Sequence, residues 1–207
     1  MSKKIKVLIA DDHLVVRMGI SALLETEADI EVVGQAKNGV EAVSKSVRLQ
    51  PDVVIMDLMM PRKDGIAATA ELREKCPAAR VIVLTSYSTS DVIARALDSG
   101  AAGAVLKTAT ETELVTAIRK VASGSSYVSS EIRRLLSVDP PVPVLTPRQE
   151  DILHSMVRGL TDRDIARQLG IRVDGVNGHV RDILQKLGAA NRTEAVAIAL
   201  RKHLLKI

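Results

Sequence analysis

The chain has 207 residues, enough for two small domains, and its 46% hydrophobic and 26% charged residues are typical of globular proteins. With two tyrosines and no phenylalanine or tryptophan, it is a poor candidate for binding nucleic acids by stacking bases on aromatic side chains. A single cysteine excludes an internal disulfide, and no apolar run approaches the ~18 residues that span a bilayer, so we expect a cytoplasmic protein with no membrane contact.

The formal net charge of +4 is unevenly distributed. Residues 1–143 hold 18 basic and 18 acidic side chains, whereas residues 144–207 hold 11 basic and 7 acidic ones. All of the excess positive charge therefore lies in the last third of the chain. This is a modest indication that this third binds a polyanion.

Strand-like apolar runs alternate with helix-like segments over the first 124 residues. The predicted strands are 5–10, 31–36, 52–57, 80–85 and 103–106, and the predicted helices are 14–26, 39–49, 65–75, 89–99 and 111–123. Five such units predict a parallel sheet with helices on both faces.

Polar side chains end four of the predicted strands: Asp11 and Asp12, Asp57, Thr85, and Lys107. Because the carboxyl ends of parallel strands share one edge, we expect these residues to converge. Adjacent carboxylates repel each other unless a cation lies between them, and Mg²⁺ prefers oxygen ligands. The pattern predicts a metal-assisted phosphoryl acceptor, although an Asp-Asp pair alone can also be a helix cap with a solvated neighbour.

The proposed roles at this edge follow from phosphoryl chemistry. The Asp57 carboxylate would accept the phosphoryl group as an acyl phosphate. Such a transfer depends on positioning and charge neutralisation, which Mg²⁺ and Lys107 would supply, while the Thr85 hydroxyl would bond a phosphoryl oxygen.

Residues 125–143 change in character and predict a linker with a short helix and a Pro-rich end. From 144 to 207 the pattern is helical throughout. Thr146 is a predicted N-cap followed by Pro147, and Thr161 is predicted to cap a second helix. A third helix over 173–187 and a fourth from about Thr193 complete a predicted helix-turn-helix domain.

These motifs resemble a known combination of two domains. DDH at 11–13, MDLMMPRKDG at 56–65, LTS at 84–86 and LKT at 106–108 resemble the receiver domain of bacterial response regulators. The segment from LTPRQEDILHSMVRGLTDRDIARQLGI to RTEAVAIAL is similar to the LuxR-type helix-turn-helix. Together they resemble the NarL/FixJ family of two-component transcription factors, over nearly the whole chain.

The resemblance implies a flavodoxin-like (βα)5 receiver domain at 1–124, the linker at 125–143, and a four-helix LuxR-type DNA-binding domain at 144–207. It implies that a sensor histidine kinase phosphorylates Asp57, and that Asp11, Asp12, Asp57 and the backbone carbonyl of Met59 hold Mg²⁺. Phosphorylation would alter homodimerisation and the binding of double-stranded DNA, with RNA polymerase as a further partner. No enzymatic activity beyond self-catalysed phosphoryl acceptance and slow autodephosphorylation is expected.

Two features of the receiver part depart from the usual family pattern. Ala104 stands where many receivers carry an aromatic residue that changes rotamer on activation. Alanine has no rotamer to change, so the coupling would depend on the movement of Thr85 alone. Met59 and Tyr87 flank the approach of a hydrolytic water, which predicts a long-lived acyl phosphate; ordinary surface packing is the alternative.

The third predicted helix of the C-terminal part also departs from the pattern. Gly175, Asn177 and Gly178 replace the usual Thr, Lys and bulky apolar residue. Each Gly costs roughly 1 kcal/mol of helix stability relative to Ala, and weak DNA binding is one alternative. The residues predicted to contact DNA are Arg172, Asn177, Arg181, Lys186 and Arg192, with Lys186 and Arg192 placed for phosphates.

Three other functions are alternatives to phosphorylation-controlled transcription. A DNA-binding regulator that needs no phosphorylation stays open because of Ala104 and the Gly-rich helix. A phosphatase with an aspartyl-phosphate intermediate is disfavoured, since no Asp follows Asp57 by two residues and no segment is left for a cap domain. A small-molecule sensor is disfavoured because its pocket would need aromatic residues.

Overall fold

A computed structural model describes residues 4–86, 89–141, 145–202 and 204–205. The chain divides into two compact units, with the main boundary between Asp139 and Pro140. The first unit contains a six-stranded parallel sheet with the strand order β2-β1-β3-β4-β5-β6. The strands are β1 Ile5–Ala10, β2 Ile30–Ala36, β3 Val53–Asp57, β4 Arg80–Thr85, β5 Gly103–Leu106 and β6 Tyr127–Val128.

The helices of the first unit cover both faces of this sheet. They are α1 Leu14–Glu25, α2 Gly39–Leu49, α3 Gly65–Lys75, α4 Ser90–Asp98, α5 Glu111–Ala122 and α6 Ser130–Val138. One apolar core packs α1 and α5 against the sheet, and the other packs α2, α3, α4 and α6 against the opposite face. The receiver fold is therefore the one that the sequence predicted, because strands buried on both faces are apolar throughout and easily recognised.

The segment from Tyr127 to Val138 adds a sixth strand to the sheet and then forms the helix α6. Tyr127 N donates to Ala102 O at 3.0 Å, and Ser129 N donates to Ala104 O at 3.0 Å, which places β6 beside β5. Ser129 then caps α6, and Ile132 is fully buried in the core. The sequence suggested a linker here because a two-residue strand is too short to show any hydrophobic period.

The described part of the second unit contains four helices: α7 Pro147–Val157, α8 Asp162–Leu169, α9 Val173–Leu187 and α10 Arg192–Arg201. Thr146 caps α7 and Thr161 caps α8, each in a reciprocal capping box. The fourth helix begins one residue before its predicted start, since Asn191 Oδ1 accepts a hydrogen bond from Glu194 N and fixes the N-cap there. The four-helix fold predicted for this part is confirmed.

The four helices of the second unit enclose one apolar core, to which every one of them contributes buried side chains. The fully buried ones include Ile152, Leu153, Ile165, Val176 and Ile183. Among all the residues described, no helix combines the length and apolar character needed to cross a bilayer.

Candidate functional site

The register of the sheet brings the predicted phosphoacceptor residues together. Ala10 pairs with Met56, so Asp11 and Asp57 are the next residues on neighbouring strands. Asp57 pairs with Leu84, and Thr85 pairs with Leu106. Asp11 and Asp57 therefore lie level with each other at the carboxyl edge of the sheet, Thr85 lies one residue further along, and Lys107 one residue beyond Thr85. The strand ends converge as the sequence predicted.

Lys107 lies between two buried carboxylates. Its Nζ is 2.6 Å from Asp11 Oδ2 and 3.2 Å from Asp57 Oδ1, while its backbone N donates to Thr85 O at 2.8 Å. Asp11, Asp57 and Thr85 are buried, and the Lys107 side chain is only 14% exposed. The ammonium is therefore fixed beside the carboxylate that would accept a phosphoryl group.

The acidic groups at this edge fit a magnesium ion. One ligand atom from each of Asp11, Asp12, His13 and Asp57 can be chosen so that all four atoms lie within 4.8 Å of one another. The three carboxylates together carry more negative charge than the single positive charge of Lys107 can balance, and a divalent cation would neutralise the remaining negative charge. Carboxylate oxygens are also the protein ligands that Mg²⁺ prefers. The contribution of the Met59 backbone carbonyl stays a prediction.

The pKa values at this site reflect burial and charge. Burial raises the pKa of Asp57 above its ordinary value, Lys107 opposes this rise, and the charge of Asp11 adds to it. Burial by itself lowers the pKa of Lys107, but the hydrogen bond from Lys107 to Asp11 and the charges of Asp57 and Asp11 raise it overall. Lys107 therefore stays an ammonium, and the ionised Asp57 carboxylate is costly without a further cation.

Replacing Asp57 with asparagine is expected to stabilise the metal-free protein. The pKa of Asp57 is higher in the folded state than in the unfolded state, so the protonated side chain stabilises the fold. This stabilisation is complete below the unfolded-state pKa and is lost as the pH rises through the folded-state pKa. The neutral asparagine side chain does not lose it at high pH. In EDTA, Asp57→Asn should raise the melting temperature by about 2–4 °C, equivalent to about 1 kcal/mol. This gain should shrink as the pH falls toward the ordinary pKa range of carboxylates.

Thermal unfolding followed by circular dichroism measures this gain, with the exposed Glu74→Gln as a matched control that removes a carboxylate elsewhere. A lower melting temperature for Asp57→Asn than for Glu74→Gln would contradict it. Saturating Mg²⁺ should then stabilise the wild-type chain and leave Asp57→Asn nearly unchanged, because ligand binding to the folded state raises its stability.

The connection from β3 to α3 depends on Gly65. A Cβ at this position would lie 2.1 Å from Asp57 O and 2.9 Å from the Cα of Leu58. Gly65 N donates to Leu58 O at 3.0 Å, and Arg62 adopts a φ of 69°, in the left-handed region. The backbone of the phosphoacceptor is thus held by a close approach that only glycine allows.

The structure bears on the two departures in the receiver part. Ala104 is fully buried in the core beneath α4 and α6. Met59, two residues after the buried Asp57, is 71% exposed, and its role as a shield of the carboxylate stays a prediction. Tyr87, the second predicted shield, lies outside the described residues.

The exposed face of α9 carries three of the predicted DNA contacts. Val176, Ile183 and Leu187 are buried against the other helices, and the opposite side of α9 faces solvent. Asn177 and Arg181 are exposed and four residues apart, so they share that side. Arg172, the N-cap residue, has a side chain that is 92% exposed. These three residues form what we call the α9 surface.

Lys186 and Arg192 have partners within their own unit. Lys186 Nζ donates to Gln149 Oε1 at 2.9 Å. The Arg192 guanidinium bonds the Asp162 carboxylate and donates to Leu160 O at 2.6 Å, linking the start of α10 to the start of α8. Their role as phosphate contacts stays a prediction, and each would have to share or exchange these bonds to reach DNA.

His13 was not singled out by the sequence as a site residue. Its Nδ1 lies 2.8 Å from Asp12 Oδ1 and 3.3 Å from Asp11 Oδ1. The sequence shows that His13 directly follows Asp11 and Asp12. The spacing of these residues does not determine whether the imidazole ring turns toward the carboxylates or away from them.

A receiver fold with this carboxyl edge, followed by a helix-turn-helix, defines the class of DNA-binding response regulators. The model of the response regulator receiver domain matches residues 7–119, and the model of the bacterial regulatory proteins of the luxR family matches residues 143–199. The chain therefore belongs to the response regulators with a LuxR-type DNA-binding domain, as its resemblance to the NarL/FixJ family predicted.

Known relatives are similar to this protein over almost the whole length of its chain. The response regulator protein VraR of Staphylococcus saprophyticus is 38% identical over 207 residues, covering 98% of this chain and 99% of the relative. The solved structure of the response regulator ChrA, from a heme-sensing two-component system, is 34% identical with a TM-score of 0.59, covering 99% of this chain and 100% of ChrA. A structure of RcsB dimers bound to DNA is 27% identical with a TM-score of 0.70, covering 97% and 99% of the two chains.

Proposed function

We propose that this protein regulates transcription in response to phosphorylation of Asp57 by a sensor histidine kinase. The observation that carries the proposal is the placement of Asp57: a buried carboxylate at the end of a central strand, 3.2 Å from Lys107 and inside a cluster of further carboxylates. Phosphoryl transfer needs mainly positioning and neutralisation of charge, and this arrangement offers both.

The transfer itself is an exchange of one bond for another. The bond between phosphorus and the imidazole nitrogen of the kinase phosphohistidine breaks as a bond forms between phosphorus and an Asp57 oxygen, and the leaving imidazole takes up a proton. Mg²⁺ held by Asp11, Asp12, Asp57 and the Met59 carbonyl would neutralise charge on the phosphoryl oxygens. Lys107 would bond another of these oxygens once its contact with Asp57 is released.

The acyl phosphate would act on the rest of the molecule through Thr85 and Lys107. Thr85 ends β4 and Lys107 directly follows the neighbouring strand β5, and the two residues are linked by the bond from Lys107 N to Thr85 O. Movement of the Thr85 hydroxyl toward the phosphoryl group would reshape the surface formed by the last two βα units. Ala104 has no side-chain rotamer to change, so this route would carry the signal without an aromatic switch.

Dimerisation would couple the signal to DNA. Two copies of α9 would enter the major groove at half-sites about 34 Å apart, one helical turn of the duplex. Asn177 would bond an adenine edge, Arg181 and Arg172 would bond bases or phosphates, and Lys186 and Arg192 would add phosphate contacts. The solved RcsB structure, in which dimers are bound to DNA, supports this arrangement.

We also propose that the protein is not an enzyme in the ordinary sense. Asp57 accepts a phosphoryl group once per cycle, and only slow hydrolysis would follow, because the exposed Met59 side chain can hinder the approach of water. Contact with RNA polymerase belongs to the same proposal, as the step through which a DNA-bound regulator would act on transcription.

The experiment that tests the proposal is the solution mass by light scattering, with and without Mg²⁺ and beryllofluoride, a mimic of the acyl phosphate. We expect a shift from monomer to dimer in the wild-type chain and none in Asp57→Asn. DNA binding by the same samples should strengthen together with dimerisation.

A mimic that binds without changing either the mass or the DNA affinity would contradict phosphorylation control. Regulation independent of phosphorylation would then become the better account. Binding of the mimic is followed separately by ¹⁹F NMR, so that a silent result is not confused with an empty site.

Gly178→Ala is expected to stabilise the second unit but to weaken its DNA binding. A Cβ at Gly178 would have nothing within 4 Å, so alanine should add about 1 kcal/mol of helix stability. Gly178 adjoins Asn177, and a methyl group there would keep α9 from approaching the duplex closely. We expect specific affinity to fall by about 1 kcal/mol, roughly fivefold, in a fluorescence anisotropy titration.

Gly19→Ala is the matched control for this substitution. Like Gly178, Gly19 lies within a helix and has nothing within 4 Å of an added Cβ, but it is exposed and belongs to the first unit. It should leave DNA affinity unchanged. If Gly178→Ala and Gly19→Ala bind DNA equally well, Gly178 does not serve a close approach and only weakens the helix.

A further inference from the structure

We infer that His13 provides an imidazole ligand at the metal site, which would make this site bind borderline-soft divalent cations such as Co²⁺, Ni²⁺ and Zn²⁺ more tightly than Mg²⁺. The inference rests on the proposed metal site formed by Asp11, Asp12 and Asp57 and extends it to a fourth side chain.

The distances around the His13 ring fit ligands that share one ion. Two ligands that are each about 2.0–2.1 Å from a metal lie roughly 2.9–3.4 Å apart in tetrahedral or octahedral geometry. His13 Nδ1 is 2.8 Å from Asp12 Oδ1 and 3.3 Å from Asp11 Oδ1. A small shift of the ring would therefore let all three atoms contact one cation.

The two oxygens of Asp11 have separate surroundings. Oδ2 contacts the Lys107 ammonium, whereas Oδ1 faces His13 and accepts a hydrogen bond from His13 N at 2.8 Å. Asp11 therefore does not have to give up Lys107 in order to offer Oδ1 to a metal together with His13 Nδ1. The ammonium and the cation would occupy opposite sides of one buried carboxylate.

The position of His13 in the chain is consistent with this orientation of its ring. His13 is the N-cap residue of α1, where Ser, Thr, Asp or Asn would bond the free backbone N–H groups. Its side chain makes no such capping bond and is turned toward the carboxylates. Among the described N-cap residues, Asn38, Asp64 and Thr110 cap their helices, whereas Arg172, like His13, does not. The N-terminus of α1 therefore lacks a side-chain cap, and the His13 side chain lies beside the carboxylates of the proposed metal site instead.

The chemistry of an imidazole nitrogen determines which cations benefit. Mg²⁺ is a hard ion that prefers oxygen ligands and keeps several waters. Imidazole suits Co²⁺, Ni²⁺ and Zn²⁺, whose affinities for mixed nitrogen and oxygen sites exceed those of harder cations. The His13 side chain is 68% exposed, so it can turn onto an ion without losing buried contacts. The same carboxylates would therefore hold either class of metal, and His13 would favour the second class.

Metal binding by His13→Gln is the decisive measurement. Co²⁺ is titrated into the full-length chain and followed by its visible absorption, which reports the ligand set, and Mg²⁺ is titrated by calorimetry. We expect wild-type protein to bind Co²⁺ more tightly than Mg²⁺. His13→Gln should lose at least about tenfold in Co²⁺ affinity, with a changed spectrum, while its Mg²⁺ affinity stays close to that of wild type.

His154→Gln is the matched control, since His154 lies on α7 in the other unit and should leave both affinities unchanged. Equal Co²⁺ affinities and spectra for wild type and His13→Gln, with Mg²⁺ binding intact, would overturn the role of His13 and leave the proposed function standing. Failure of wild type to bind either metal, or binding that is unaffected in Asp57→Asn, would overturn the proposed metal site and the inference with it.

Discussion

Asp57→Asn protein is expected to take up no phosphoryl group from acetyl phosphate or from a cognate kinase. The amide keeps the shape of the side chain but its oxygen is a poor nucleophile, and it removes one charge from the proposed metal site. Asp57 is the carboxylate that lies in the middle of the carboxyl edge, between the strands of Asp11 and Thr85. Intact mass spectrometry at neutral pH should therefore find one added phosphoryl group on wild type and none on the variant.

Two controls make this result specific. Glu74→Gln removes an exposed carboxylate from α3 and should be phosphorylated like wild type. Hydroxylamine should release the label from wild type, because it cleaves acyl phosphates and leaves phosphoserine intact. A hydroxylamine-sensitive label that persists in Asp57→Asn would place the acceptor on a neighbouring carboxylate such as Asp11 or Asp12, and the assignment of Asp57 would be wrong.

Gly65→Ala is expected to destabilise the first unit and to impair phosphoryl acceptance at the same time. The added Cβ would lie 2.1 Å from Asp57 O, and a backbone atom cannot move aside as the end of a flexible side chain can. Overpacking of this kind costs about 1–3 kcal/mol, and here we expect the upper part of that range. Relieving the clash would shift the backbone of Asp57 away from Lys107, so phosphorylation should slow as well.

Gly19→Ala again provides the matched comparison, with the same added methyl group in open space. Calorimetry of the full chain should show a lower melting temperature for Gly65→Ala and an unchanged or higher one for Gly19→Ala, since alanine favours the helix. If Gly65→Ala were as stable as wild type and accepted phosphoryl groups equally fast, the close approach at Gly65 would be irrelevant to the site.

The strands and most of the helices could be predicted because their signals are local. Buried parallel strands are short apolar runs, and Thr146 and Thr161 cap helices through bonds to residues only three positions away. The sixth strand was not predicted, because it has no local signal of this kind. The strand Tyr127–Val128 exists only because β5 offers it bonding partners, and two residues carry no periodic signal.

The candidate site likewise has features that the sequence predicts and features that it does not. Asp57, Thr85 and Lys107 could be predicted because each ends or follows a recognisable strand, and the parallel topology then requires them to meet. The contact of Lys107 with Asp11, at 2.6 Å, could not be predicted, because it depends on how two side chains share a crowded edge. The bonds that Arg192 makes to Asp162 and Leu160 are of the same kind, since they join residues about thirty positions apart.

The sequence by itself determined the two-domain organisation, the family and the set of residues at the carboxyl edge, because residue type and short-range spacing are sufficient for these. The tertiary structure alone decided the close approach of Gly65 to the backbone of Asp57, the sixth strand, and the direction of the His13 ring. These features arise from contacts between segments that are distant in sequence or from a choice among side-chain rotamers. Contacts between distant segments and choices of side-chain rotamer produce no periodic pattern in the sequence. Such features are therefore determined by the packing of the folded chain.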